Sequence, residues 1–185
     1  MEDNIVSRSL ASEDLEFFKD LHNRSFDFTV NSSKILREAA RLGKTQVVAL
    51  IAPWSDPTVQ HNEPLVLAAQ NGHASTVATL IPYSSAVLRA LIRASTQDHQ
   101  ECIKILVQHI DPNSSALTQT IDHLLSAQCL EAVELLIPKI DVQAIYNQLS
   151  DRNAEIFEQV RAAREKKLMY AQLTQTTFER KISKM

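Results

Sequence analysis

The sequence contains only two glycines among its 185 residues, Gly43 and Gly72. Proteins average ~7% glycine, so this chain has little material for the tight turns of β-hairpins. Two isolated glycines also exclude a glycine-rich phosphate-binding loop. Alanine, leucine, glutamine and glutamate are abundant instead, and these residues favour helices. The composition therefore predicts an all-α protein.

Cysteines and long apolar runs are scarce as well. Cys102 and Cys129 are the only cysteines, too few for a disulfide framework or a four-cysteine zinc site, and they favour a reducing compartment. No apolar run approaches the ~20 residues that span a bilayer, and the acidic N-terminus does not resemble a secretory signal. The net charge of −3 gives no overall attraction to nucleic acid. We expect a cytoplasmic monomer without membrane span, metal or cofactor.

The two glycines occupy the same position of an internal repeat. The shift that places Gly43 on Gly72 also aligns identical residues, among them Ala39 with Ala68, Val48 with Val77, and Pro53 with Pro82. Two further shifts, the first of them three residues shorter, continue the register to residue 142, and Asp98 takes the place of the glycine in the third copy. A recurring period of this kind is typical of stacked helical units.

Each copy has the pattern of two short helices. In the second copy PLVLAAQ is the first helix and TVATLI is the second, with four or five residues between them. Gly72 lies where the first helix ends, a position that favours the left-handed conformation, which glycine adopts without penalty. Pro82 follows the second helix and cannot continue it. The pattern therefore predicts one helical hairpin per copy.

The second copy resembles the ankyrin repeat. The family pattern, Thr-Pro-Leu-His-Leu-Ala-Ala followed by Gly-His, is similar to EPLVLAAQNGH at residues 63–73, although Glu63 and Val66 replace the threonine and the first histidine. The resemblance extends over residues 32–142 and is strongest over 60–82. It implies an ankyrin-like solenoid of four to five stacked helical hairpins with helical N- and C-terminal caps. Ankyrin units have ~33 residues, so these shorter units predict clipped or missing β-turn fingers.

Three segments are expected along the chain. Residues 1–30 form an N-terminal capping helix, for which Ser12 is the predicted cap. Residues 31–150 form the ankyrin-like repeat domain. Residues 151–185 form a C-terminal helix and a tail, and the last twelve or so residues of that tail are expected to be frayed.

The resemblance implies a non-catalytic protein-binding function. Ankyrin repeats bind other proteins in a groove lined by their first helices, and the matching positions here are Arg41, Gln70, Asn71 and Gln97. Trp54 and Tyr83 follow the second helices, and exposed aromatic residues often anchor protein partners. A packing role beneath its loop is an equal alternative for Trp54. The stand-alone size also suits a bacterial effector that acts in the cytoplasm of a host cell.

Two other functions stay open. His99 and Cys102 are three residues apart and could share a helical face as a cysteine nucleophile and its base, although both are also repeat positions. Cys129 and His123 offer the same combination of residue types more weakly. A nucleic-acid-binding helical solenoid is the other alternative, and its support is a basic cluster near the C-terminus: Arg161, Arg164, Lys166 and Lys167.

Overall fold

The computed structural model of the chain describes the backbone of residues 2–182 and the side chains of residues 6–175 other than Ser32. All regular structure in this range is helical, which confirms the all-α prediction. The α-helices are α1 Glu2–Ser12, α2 Leu15–Asn23, α3 Val30–Arg41, α4 Thr45–Ile51, α5 Val59–Gln70, α6 Ala74–Leu80, α7 Val87–Thr96, α8 Gln100–Gln108, α9 Leu117–Ser126, α10 Leu130–Leu136, α11 Val142–Tyr146 and α12 Asp151–Ile182. A 3₁₀ turn containing a proline follows α4, α6 and α10: Ala52–Trp54, Ile81–Tyr83 and Ile137–Lys139.

The chain divides into two compact units, Met1–Ala116 and Leu117–Met185. In the first unit α3, α5 and α7 pack side by side as one layer, and α4, α6 and α8 form a second layer. The core between the layers repeats with the sequence. Equivalent aliphatic side chains are buried in successive copies: Leu36, Leu65 and Leu91 in the first layer, and Val48, Val77 and Ile103 in the second. Each such side chain contributes about 1.5–3 kcal/mol when it leaves water.

The same backbone closure ends the first helix of every hairpin. The N–H of the residue before the second helix donates to the carbonyl five residues earlier, at 2.8–3.0 Å: Asp14 to Ser9, Lys44 to Ala39, His73 to Ala68, His99 to Ala94 and Cys129 to Leu124. The residue before each donor has a φ between 52° and 76°: Glu13, Gly43, Gly72, Asp98 and Gln128. This is the left-handed closure of a helix end. It confirms the prediction for both glycines and Asp98, although α3–α4, α5–α6 and α7–α8 are joined by three residues instead of four or five.

The N-terminal segment is a hairpin of two helices, where the sequence predicted a single capping helix. Ser12 does not cap α2, because it is the last residue of α1 and its hydroxyl donates to the Arg8 carbonyl at 3.0 Å. Asp14 is the cap, since its Oδ1 accepts the N–H of Phe17 at 3.0 Å. Glu13 takes the place that Gly43 has in the next hairpin, and its φ has the same sign. The α1–α2 pair is therefore one more copy of the hairpin.

The connections between copies are short. Four residues separate the first 3₁₀ turn from α5, three separate the second from α7, and the described residues contain no strand. This agrees with the expected loss of the β-turn fingers. An aspartate holds the connection from α2 to α3 and another holds the connection from α4 to α5. In each case its Oδ1 accepts both the N–H and the hydroxyl of a threonine two residues later: Asp27 with Thr29, and Asp56 with Thr58.

A left-handed turn opens α5, and its absence from α7 accounts for the copy that is three residues shorter. Residues 60–62 all have positive φ, between 49° and 63°, before the right-handed helix starts at Glu63. Asn31 and Ser33 have positive φ at the equivalent place in α3. The helix α7 has no positive-φ residue at its start, and its copy is the one that is three residues shorter. The buried Asn62 amide joins the copies, because its Oδ1 accepts the Ser85 N–H at 3.2 Å.

In the second unit α12 packs on both helices of the α9–α10 hairpin. The buried Asn153 amide donates to Asp122 Oδ1 and Ser126 Oγ, each at 2.9 Å, and Phe157 is fully buried. The helix continues to Ile182, whereas the sequence predicted a frayed end. Residues 151–182 include neither glycine nor proline, so nothing in this stretch stops the helix. Residues 183–185 lie outside the described part.

Candidate functional site

The layer of first helices has an outer side that points away from α4, α6 and α8. We name this surface the first-helix face. The repeat register arranges it in four rows, each with one residue from α3, one from α5 and one from α7, or the residue directly after each helix: Lys34, Glu63 and Arg89; Glu38, Leu67 and Arg93; Arg41, Gln70 and Thr96; Leu42, Asn71 and Gln97. All twelve residues are exposed or half-buried. Three consecutive copies thus present equivalent side chains on one surface.

The four polar residues predicted from the sequence lie in the last two rows. Arg41, Gln70, Asn71 and Gln97 are all exposed or half-buried at the same end of their helices. The backbone carbonyls of two of them also bind a histidine of the next copy, and we name each of these contacts between copies a joint. His73 Nε2 lies 2.9 Å from the Arg41 carbonyl, and His99 Nε2 lies 2.9 Å from the Gln70 carbonyl. A carbonyl can only accept, so Nε2 carries the proton in both imidazoles.

The joints explain why glycine occupies these turns. A Cβ on Gly43 would lie 2.5 Å from the His73 ring, and a Cβ on Gly72 would lie 2.7 Å from the His99 ring. Each glycine therefore meets two requirements, a positive φ and room for the histidine of the next copy. At the N-terminal joint Lys44 replaces the histidine, and its Nζ donates to the Ala11 carbonyl at 3.1 Å.

Ion pairs engage both acidic residues of the first-helix face. Arg37 Nη1 lies 2.8 Å from Glu63 Oε2 and so joins α3 to α5. Arg41 donates two hydrogen bonds to the Glu38 carboxylate, at 2.7 and 2.9 Å. These hydrogen bonds hold the pKa of the Glu38 carboxyl below its usual value. Pairs this exposed contribute only about 0–1 kcal/mol to stability, so they matter more for the charge that the surface presents.

Arg89 and Arg93 complete the face, and sequence reasoning did not select them. They are four residues apart on α7, which contains no acidic residue. Arg89 Nη2 donates to the His61 carbonyl in the left-handed turn of α5. Neither arginine forms an ion pair within the described part of the chain. Their spacing in VLRALIRA was the available signal, because residues four apart share one side of a helix.

Trp54 and Tyr83 do not join this set. They belong to the 3₁₀ turns that end α4 and α6, at the opposite end of each antiparallel hairpin from Arg41 and Gln70. The Trp54 ring stacks on His22, with centroids 3.8 Å apart, and tilts against Phe28 at 5.6 Å. Trp54 thus packs on two rings that precede α3 in the chain, as in one of the two alternatives that the sequence left open. Tyr83 is 41% exposed.

The two cysteines differ in burial and surroundings. Cys102 is fully buried, and burial, with a smaller effect of the neighbouring Glu101 carboxylate, raises the pKa of its thiol to about 11. His99 Nε2 is held by the Gln70 carbonyl. Cys129 is half-buried, and its thiol lies 3.7 Å from the Ala127 carbonyl.

Within residues whose side chains are described, no three His, Cys, Asp or Glu side chains are grouped so that they could hold a metal ion. Among the described helices, none combines the length and the apolar character that a membrane crossing requires.

Comparison with known proteins gives one match. The family model described as ankyrin repeats, three copies, matches residues 36–116. These residues run from α3 through α8 and contain the whole first-helix face except Lys34. No curated protein and no solved structure matches the chain significantly.

Proposed function

Because residues 36–116 match the ankyrin-repeat family model, we propose that the chain is a non-catalytic module that binds another protein on its first-helix face. One observation carries the proposal. Three successive copies expose side chains at equivalent positions, and two of the resulting rows are Arg41, Gln70 and Thr96, and Leu42, Asn71 and Gln97. A continuous surface built from repeated rows suits a partner that contacts several copies at once.

The state of Cys102 weighs against a cysteine enzyme. The thiolate is the nucleophilic form of cysteine, and with a pKa of about 11 the thiol stays protonated at neutral pH. Because the side chain is also fully buried, a substrate cannot reach it in the folded chain. Free thiols at Cys102 and Cys129 suit a reducing compartment, so a cytoplasmic location is part of the proposal.

Ion pairs weigh against a nucleic-acid site on α12. Arg161 lies 2.7 Å from Glu158 and 3.9 Å from Glu165, and Lys167 Nζ lies 2.8 Å from Glu134. Two of the four basic residues that suggested such a site therefore already face carboxylates. A partner phosphate would have to compete with those carboxylates for the same cations.

Site-specific photocrosslinking tests which layer meets the partner. Benzoylphenylalanine is placed at Gln70 on the first-helix face or at Ser75 on α6 in the second layer, two exposed positions of the same copy. We expect irradiation in cells to give a discrete protein adduct from position 70 and none from position 75. A second matched pair, Gln97 and Lys104, repeats the comparison in the next copy.

Three results would contradict the proposal. Adducts from positions 75 and 104 with none from 70 and 97 would place the interface on the second layer. A complete absence of adducts from positions 70 and 97 would disprove protein binding on the first-helix face. Loss of an activity in a folded Cys102→Ala variant would favour the cysteine enzyme instead.

A further inference from the structure

The first-helix face carries an excess of positive charge on a chain that is negative overall. Helices α3, α5 and α7 together contain five Lys or Arg residues and two Glu residues, a formal net charge of +3, while the whole chain has −3. Helices α4 and α6 contain no charged residue, and α8 has one Glu and one Lys. The excess is therefore confined to one layer and is not a property of the composition.

The excess is greatest at α7. Both acidic residues of the layer are already paired, Glu63 with Arg37 and Glu38 with Arg41. Arg89 and Arg93 have no carboxylate partner within the described residues. A guanidinium has five N–H donors, and the contact of Arg89 with the His61 carbonyl uses one of them and neutralises no charge. That contact holds the Arg89 side chain against α5 with its remaining donors available.

The neighbouring residues favour a peptide over a nucleic acid. Proteins that bind single-stranded nucleic acids stack bases on aromatic rings, and α3, α5 and α7 contain no Phe, Tyr or Trp. Leu67 lies between Glu38 and Arg93 in its row and is half-buried, so an aliphatic surface adjoins the arginines. Guanidinium groups beside aliphatic surface match carboxylates interleaved with apolar side chains.

We propose that the partner segment bound by the first-helix face is an acidic peptide, whose carboxylates pair with Arg89 and Arg93 and whose apolar side chains contact Leu67. This inference rests on the proposed function and specifies the chemistry of the partner. Adjacent helices pack ~10 Å apart, so a segment that crosses from α7 to α3 covers about 20 Å. About six extended residues span that distance at ~3.3 Å each.

The test uses the full chain and a peptide of alternating glutamate and leucine residues. Addition of the peptide to ¹⁵N-labelled protein at low ionic strength is expected to shift the resonances of α7 and the facing part of α5. An Arg89→Gln/Arg93→Gln variant is expected to weaken binding about tenfold. A Lys19→Gln/Lys104→Gln variant loses the same charge from exposed sites on α2 and α8 and is expected to bind like the wild type.

Further arms identify the chemistry. The same peptide with glutamine in place of glutamate is expected to give no shift, and binding of the acidic peptide is expected to weaken as salt rises, because these arginines are exposed. Equal losses in the two double variants would show an effect of net charge alone and overturn the proposal. So would tighter binding of a single-stranded oligonucleotide, or shifts centred on Arg164 and Lys166 of α12. If the crosslinks from Gln70 persist while the peptide fails to bind, only the acidic partner is disproved.

Discussion

At the scale of the residue, Gly43 and Gly72 each meet two requirements. Their φ values are 69° and 76°, and each lies against the histidine ring of the next copy. The contact with the histidine of the next copy was not predicted, because it joins residues of different copies that no local pattern relates. The signal was the Gly-His pair itself, in which one residue serves the turn and the other reaches back to the preceding copy.

Substitution of Gly72 tests both requirements. We expect Gly72→Ala to lower the free energy of unfolding by about 2 kcal/mol or more, since an alanine in the left-handed region costs ~1–2 kcal/mol and its Cβ would also meet the His99 ring. Chemical denaturation measures the loss. In a Gly72→Ala/His99→Ala variant the close contact is gone, so the combined loss should be smaller than the sum of the single losses. Additive losses would show that the ring does not constrain the glycine.

The two cysteines should differ in reactivity. In the folded chain at pH 8 we expect Cys129 to react with a disulfide reagent and Cys102 to react only as the protein opens. The reason is that the Cys102 thiol is buried and its pKa is raised from 9.0 to about 11. The folded state therefore keeps this proton where the unfolded chain loses it, and the associated stability is present below pH 9 and falls as the pH rises toward 11.

Mass spectrometry of the labelled peptides distinguishes the two thiols. Denatured protein is the control, because both cysteines should then react at similar rates. Labelling of native Cys102 as fast as native Cys129 would contradict the burial of the thiol and restore the catalytic alternative.

At the scale of the element, Asp14 and Ser12 separate the observed start of α2 from the predicted one. We expect Asp14→Ala to cost ~1 kcal/mol of stability, because it removes the acceptor of the Phe17 N–H. Ser12→Ala should have little effect, since that hydroxyl only returns to a carbonyl of its own helix. Thermal unfolding compares the two variants, and a larger loss from Ser12→Ala would support the cap predicted from the sequence.

The sequence predicted that these segments are helical, but it did not predict where the helices start. The glycines that end the first helices and the prolines that follow the second helices predicted the hairpins, because both signals are local. The hairpin formed by α1 and α2 was missed, since Glu13 gives no sign of the left-handed conformation that glycine announces in later copies. The left-handed residues 60–62 were also missed. Contacts with the next copy hold them: the Ser85 N–H donates to Asn62, and Arg89 donates to the His61 carbonyl.

At the scale of the whole molecule, the layers of the first unit predict an order of protection. Helix α5 packs between α3 and α7, and α6 packs between α4 and α8. We therefore expect the amides of α5 and α6 to exchange with deuterium most slowly in this unit, and those of α1 and α2 faster, because stability in repeats comes from neighbouring interfaces. Exchange read by mass spectrometry provides the test, and equal protection of α2 and α5 would contradict it.

The proposed binding surface was only partly visible in the sequence. The ankyrin resemblance located Arg41, Gln70, Asn71 and Gln97, and the structure has all four at one end of the first-helix layer. The resemblance did not select Arg89 and Arg93. An arginine without a carboxylate partner is recognised only from contacts between copies, which the sequence does not show. The aromatic ring of Trp54 was ambiguous for the same reason, since His22, which covers it, belongs to the preceding hairpin.

The joints also determine where the chain can be recombined. Each joint is encoded by two positions in different copies, Glu13 with Lys44, Gly43 with His73, and Gly72 with His99. A chimera spliced between two hairpins separates such a pair, and a transplanted histidine at position 44 would then face a turn residue that has a Cβ. Grafts that carry both members of a pair together preserve the fit. The unit that can be transferred is therefore the joint with both of its residues, and not a single hairpin.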